Sequence, residues 1–183
     1  MGVVLYGGAF DPPHLGHVAV AAAARKRFEV ERLLVLVSER PGHRVVHATA
    51  EDRLALAVAA FPDDDVRLDP YPRTVELLRA ERFDEPVFVI GADQFRSFPT
   101  WSEPAEVLER ARLAVATRPG FPRSELEAVL EQLDRERVLF FEIAPNPAAS
   151  TDIRARIAAG EPLDGLVPPA VARLVAKRGI YCP

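Results

Sequence analysis

The chain holds very little of several residues that point to a compartment or a chemistry. Of its 183 residues, one is cysteine, one methionine, one tryptophan and one asparagine. A lone Cys182 excludes an internal disulfide and fits a reducing cytoplasm. No apolar run approaches the roughly 18 residues that mark a membrane span. The first residues run directly into an apolar strand without a basic leader, so a cytoplasmic protein with no membrane partner is expected. Positive charge is not in excess. With 23 Lys and Arg against 27 Asp and Glu, the net charge is −4, and no basic stripe or tail is present to receive a nucleic acid. The scarcity of thermolabile side chains beside 17 prolines fits selection for heat resistance, and equally a biased genome composition.

What remains is a chain with 49% hydrophobic residues, of a length that fits one domain over residues 1–183 with a sizeable core. It has no internal repeat, low-complexity tract or linker. Short apolar runs alternate with helical patterns. Strands are predicted at Val3 to Tyr6, Arg32 to Val37, Val66 to Asp69, Val87 to Gly91, Leu113 to Thr117 and Val138 to Ile143. Helices are predicted at Leu15 to Phe28, Ala50 to Phe61, Thr74 to Glu81, in short pieces between Asp93 and Ala111, at Ser124 to Arg135, from Thr151 and from Pro169. Continuous apolar strands alternating with helices imply an α/β fold, a mostly parallel sheet with helices on both faces. The first helix is apolar nearly all round until Arg25, the pattern of a buried helix. Arg25, Lys26 and Arg27 suit the negative end of its dipole.

The richest stretch is Gly7 to His17, GGAFDPPHLGH, between the first strand and the first helix. A glycine-rich strand-to-helix turn is where α/β proteins hold phosphate, on unpaired N–H groups at the positive end of the helix dipole. Gly7 and Gly8 are expected to supply backbone angles closed to other residues, and Pro13 to occupy the first helical position. His14 and His17 then share one face of the first turn. Two imidazoles beside a bound phosphate suggest chemistry on it as well as binding. The turn lacks G-x-x-x-x-G-K-[ST] and G-x-G-x-x-G, which argues against a P-loop ATPase and a nicotinamide dehydrogenase. With His43 and His47 as the only further histidines, zinc spacing is not met, and no protein metal site is expected.

Near the other end lies Ser150-Thr151-Asp152-Ile153-Arg154. The Ser/Thr pair reads as a helix N-cap. Arg154 so close behind it is unfavourable unless an anion lies between helix and guanidinium. Gly91-Ala92-Asp93 follows a strand, which puts Asp93 at the ligand-binding edge of the sheet or makes it the cap of the next helix.

The run from Phe10 to His17 resembles the G-x-F-D-P-x-H-x-G-H signature of the nucleotidyltransferase superfamily, and the segment at Ser150 resembles its S-T-x-I-R motif. Together they point to the bacterial nicotinate-nucleotide adenylyltransferases, a resemblance that covers nearly the whole chain. It implies a single Rossmann-like domain that joins ATP and nicotinate mononucleotide into deamido-NAD and pyrophosphate, with Mg²⁺ carried on the ATP phosphates. It also implies roles. His14, His17 and Arg154 would be catalytic. Gly7, Gly8, Ala9, Phe10, Arg44, Asp93, Arg118, Ser150 and Thr151 would hold the nucleotide and its phosphates. Thr74, Trp101 and Ser102 would hold the mononucleotide, with Trp101 stacked on the pyridine ring and the Ser102 N–H on its carboxylate. Two segments depart from the family pattern: Arg44 stands where a lysine is usual, and the Tyr71 to Thr74 segment lacks the acidic residue. Nicotinamide mononucleotide, phosphopantetheine and a non-catalytic nucleotide-binding role remain open as alternatives, as does assembly into a homo-oligomer.

Overall fold

The computed structural model describes residues 2–42, 45–118 and 123–182. Its six strands are β1 (Val4–Gly8), β2 (Leu34–Ser38), β3 (Asp65–Asp69), β4 (Val87–Gly91), β5 (Arg112–Thr117) and β6 (Val138–Glu142). They pair in parallel throughout, in the order β3-β2-β1-β4-β5-β6. The helices are α1 (Leu15–Phe28), α2 (Ala50–Ala60), α3 (Thr74–Ala80), α4 (Ala92–Ser97), α5 (Pro104–Arg110), α6 (Arg123–Leu130), α7 (Ser150–Ala158) and α8 (Pro169–Arg178).

Strand alternation sorts the core into two layers. Val4 and Tyr6 of β1, Val87 and Val89 of β4, and Ala114 and Ala116 of β5 face one way, onto α1, α2, α7 and α8. Leu5, Phe88, Ile90, Leu113 and Val115 face the other, onto α3, α4, α5 and α6. Because both faces are covered, the strands read as continuous apolar runs. β1 lies between β2 and β4. The chain therefore winds outward through β2 and β3, then starts again at β4 in the opposite direction. That reversal opens a crevice at the C-terminal strand ends, where such sheets bind ligands.

Three sequence expectations change. Helix α1 buries one face, with Gly16, Val20, Ala21 and Ala24 inside and Ala22 exposed. Its run of small alanines is apolar all round, yet an exposed alanine costs little, so composition overstated the burial. Helix α6 ends at Leu130, because the chain then turns through the Leu133 N–H to Leu130 C=O bond and a short 3₁₀ turn capped by Asp134. Pro13 lies before α1 and not at its first position. His14 is the extended N-cap residue, at φ −141° and ψ 174°.

Candidate active site

The turn after β1 is built around its two histidines. The Gly16 N–H donates to His14 Nδ1 at 3.1 Å, and the His14 N–H donates to His17 Nδ1 at 3.2 Å. Each imidazole thus fills a capping role usually taken by Ser, Asp or Glu. The chemical consequence is a fixed tautomer: with Nδ1 accepting from a main-chain N–H, the proton of each neutral ring sits on Nε2. The rings lie close together, centroids 3.8 Å apart and planes tilted by 35°. Gly16 is required for this, since a Cβ there would come within 2.9 Å of the His14 ring.

Gly7 and Gly8 belong to β1, and neither has a positive φ; the left-handed residue of the turn is Phe10, at φ 50°. The glycines are needed for space instead. A Cβ on Gly7 would stand 2.9 Å from the Phe88 ring, and one on Gly8 3.0 Å from the Phe10 ring. Phe10 itself is buried among Tyr6, Phe61 and His17, so only its main chain can face a ligand.

Asp11 is the hub of the turn. Its carboxylate is buried and accepts from the His47 N–H at 2.8 Å, the Ala48 N–H at 3.0 Å and the Tyr181 hydroxyl at 2.8 Å. Helix α7 ties on from the other side. Ser150 Oγ donates to the Pro12 carbonyl at 2.9 Å, and Arg154 donates to the Asp11 carbonyl at 2.6 Å. Two expectations are corrected here. The N-cap of α7 is Ala149, and Ser150 and Thr151 lie inside the helix, because the Ser150 hydroxyl is spent on the turn. Arg154 is one turn further along than a first-turn residue. It is also partnered, with Asp11 Oδ2 at 3.8 Å and Thr151 Oγ1 at 3.4 Å besides the carbonyl. The unfavourable cation inferred from the sequence is therefore compensated within the protein.

Beside the turn, on the α3 and α4 side, lies a cleft of about 500 Å³. It brings together Gly7, Gly8 and Ala9 on the floor, Thr74 on one wall, and Trp101 and Ser102 on the other. Trp101 packs on buried Phe98, ring centroids 5.3 Å apart. Thr74 is the first residue of α3, where a helix leaves N–H groups without intrahelical partners. Asp93 is exposed in the first turn of α4 and does not line the cleft; its neighbour Gln94 does, with Oε1 accepting the Gly91 N–H. Arg118 is exposed after β5, close enough for its charge to act on His14. Arg44, with His43, and the Pro119-Gly120 segment lie outside the described residues. Among the described residues no three His, Cys, Asp or Glu side chains gather as a metal site.

Sequence reasoning missed Arg53, Asp11 as a hub, and Tyr181. Arg53 is 1% exposed and donates to four carbonyls: Ala9 at 3.0 Å, Ser38 at 2.5 Å, Glu39 at 3.0 Å and Ala48 at 3.3 Å. It staples the ends of β1 and β2 to the start of α2. A signal was present: Arg53 occupies the apolar stripe of α2 with Leu56, Ala57 and Ala60. A cation on a core-facing stripe must find partners inside.

Burial, and secondarily the charge of Arg118, push the His14 imidazole down to about 4 from its usual 6.5. His14 is therefore neutral at pH 7, with its proton on Nε2. Because its folded value is depressed, the unfolded chain binds the proton more readily between pH 6.5 and 4. The contribution to stability is complete above pH 6.5 and is lost as pH falls toward 4, on the order of 3 kcal/mol at most. Urea unfolding across that range should show a steeper acid loss for the native protein than for His14→Asn, which keeps a capping acceptor without a titration. Parallel curves would contradict the assignment.

A parallel α/β sheet with an H-x-G-H helix start at its switch point defines a nucleotidyltransferase architecture. The cytidylyltransferase-like family model matches residues 5–156. A probable nicotinate-nucleotide adenylyltransferase of Thermus thermophilus is 35% identical, over 99% of this chain and 100% of that one. Another, of Symbiobacterium thermophilum, is 37% identical over 98% and 94%. The solved structure of Plasmodium falciparum nicotinic acid mononucleotide adenylyltransferase complexed with NaAD superposes with a TM-score of 0.77. At 14% identity, covering 98% of this chain and 96% of that one, it shares the fold. The chain belongs to the cytidylyltransferase-like family and, within it, to the nicotinate-nucleotide adenylyltransferases.

Proposed function

We propose that this protein transfers the adenylyl group of ATP to nicotinate mononucleotide, giving deamido-NAD and pyrophosphate for NAD biosynthesis. The observation that carries this reading is the pairing of two tautomer-fixed imidazoles at the start of α1 with a cleft that presents an aromatic face. The first N–H groups of α1 are not unpaired as expected, since Leu15 donates to the Leu166 carbonyl and Gly16 to His14, so the imidazoles rather than those N–H groups would face the phosphate. A phosphate oxygen of the mononucleotide attacks the α-phosphorus of ATP in line. One P–O bond forms as the bond to the β-phosphate oxygen breaks, and pyrophosphate leaves with that electron pair. Among the described residues around the turn, none resembles an activated nucleophile with its own base, which favours direct transfer over a covalent intermediate. The protein then contributes positioning and charge stabilisation. His14 and His17 donate to phosphate oxygens as charge builds. Arg154, Ser150 and Thr151, with Arg44, hold the departing phosphates. Gly7 to Phe10 offer main chain to the triphosphate, and Arg118 and Asp93 border the adenosine.

Mg²⁺ would arrive on the triphosphate. Asp11, the one carboxylate between Gly7 and His17, already accepts three hydrogen bonds, so the turn does not fit a protein-ligated ion. A cytoplasmic location fits the reading, and no helix among the described residues is long and apolar enough to cross a membrane.

The pyridine ring stacks on Trp101, and its carboxylate accepts from Thr74 and the Ser102 N–H. An amide in that position would turn an NH₂ toward one of the donors and leave it unpaired, at a cost of about 1–3 kcal/mol. Nicotinate mononucleotide should therefore show kcat/KM roughly 10- to 100-fold above nicotinamide mononucleotide. Equal values for the two acceptors would overturn the acid assignment.

A further inference from the structure

The two walls of the mononucleotide cleft are joined by a charge network that neither the turn nor the cleft itself requires. Arg79, in the last turn of α3, donates through Nη2 to Glu103 at 2.6 Å and through Nε to Glu106 at 2.9 Å. A second Nη2 bond goes to the other Glu106 oxygen. Arg110 donates to the same Glu106 at 2.8 Å. Glu103 follows Trp101 and Ser102 directly and is the N-cap residue of α5, held in the left-handed region at φ 50° and ψ 57°. An acidic N-cap residue ordinarily turns its carboxylate back onto the free N–H groups of its helix. Glu103 makes no such bond and reaches across to α3 instead. The Trp101 loop is thus pinned at both ends. At one end the Trp101 N–H closes the turn onto the Phe98 carbonyl at 2.9 Å; at the other, Glu103 meets Arg79.

We propose that Arg79 is a positioning residue for acceptor recognition. Its bidentate grip on Glu106 and its bond to Glu103 lock the Trp101–Ser102 loop against α3 and fix the spacing between that loop and Thr74. The inference rests on the reading of this cleft as the mononucleotide subsite. Exposed single ion pairs contribute little to stability, whereas a network with a bidentate arginine can hold a geometry. The apolar contacts between α3 and α5, with Val75, Leu78, Val107 and Leu108 in one core layer, persist without it. Its loss should therefore loosen the loop and leave the fold intact. Glu106 is held down to about 2, first by its bond to Arg79 and then by Arg110, so it stays charged across the physiological range.

The test uses Arg79→Met, Arg79→Lys and Glu103→Gln in the full chain. Trp101 is the sole tryptophan, so its fluorescence reports the loop directly. Arg79→Met and Glu103→Gln should each raise KM for nicotinate mononucleotide about tenfold and leave KM for ATP within about twofold, since displacing a positioning element acts on the ligand it positions. Their Trp101 emission should shift to the red with faster anisotropy decay, the melting temperature should move by only a few degrees, and the double variant should be no worse than either single one. Arg79→Lys should recover part of the loss. An unchanged acceptor KM and emission in Arg79→Met, or an equal rise in both KM values, would overturn the proposal. Trp101→Ala separates this from the underlying reading: if that variant keeps the native acceptor KM, the cleft is not the mononucleotide subsite, whatever Arg79 does.

Discussion

His17→Ala should retain its fold and lose about 10²- to 10³-fold in kcat. The Nε2 proton of His17 is fixed by the bond its Nδ1 accepts from the His14 N–H, so the side chain presents a preset donor at a helix start. Removing one preset donor to charge that develops in the transition state typically costs that much. The same bond gives His17 a structural share. Alanine at the third helical position leaves the His14 N–H without its acceptor, which should lower stability by about 1 kcal/mol and the melting temperature by roughly 2–4 °C. His17→Gln separates the two roles, because glutamine at that position accepts from the N-cap N–H in the ordinary capping box. It should recover the melting temperature without recovering turnover. A glutamine variant with near-native kcat would remove His17 from the chemistry.

Arg154→Ala should abolish most turnover together with the stabilisation of the protein by Mg-ATP. Arg154 reaches the turn through the Asp11 carbonyl, and its side chain remains 18% exposed, so the proposed triphosphate site stays open to it. A planar fork on phosphate oxygens is poorly replaced by a point charge, so Arg154→Lys should restore only part of the activity. Considered as a cation near a helix start, Arg154 ought to destabilise the free protein. The bond to Asp11 reverses that expectation. Losing a charged donor should cost the ligand-free protein about 1–2 kcal/mol. Thermal shift with and without Mg-ATP distinguishes the contributions: both proteins melt, the variant somewhat earlier, and only the native one is stabilised by the nucleotide. An undiminished nucleotide shift in Arg154→Ala would show that the residue serves the turn alone.

The strand and helix alternation was legible because the central strands β1, β2, β4 and β5 are largely buried and read as short apolar runs between longer helical stretches. The turn between β1 and α1 stood out because glycine, proline and histidine crowd together there, and that it holds phosphate is our proposal. What escaped was the side-chain hydrogen bonding, both local and long-range. Nothing in the local pattern around His14 indicates that its ring caps its own helix, which moved the helix start past Pro13. Tyr181 lies 170 residues from Asp11, and no periodicity connects them. Arg53 could have been found as a charge on an apolar stripe, though its four carbonyl partners could not. The glycines at positions 7 and 8 end β1 instead of forming the turn, and the rings of Phe88 and Phe10 demand them, not the backbone angles.

The most direct test of adenylyl transfer is pyrophosphate release from Mg-ATP, measured against a panel of acceptors: nicotinate mononucleotide, nicotinamide mononucleotide, phosphopantetheine and none. Stoichiometric pyrophosphate and deamido-NAD should form with nicotinate mononucleotide, with far slower release for its amide and none for phosphopantetheine or without an acceptor. ATP binding without pyrophosphate release from any acceptor, or release with phosphopantetheine alone, would contradict the account.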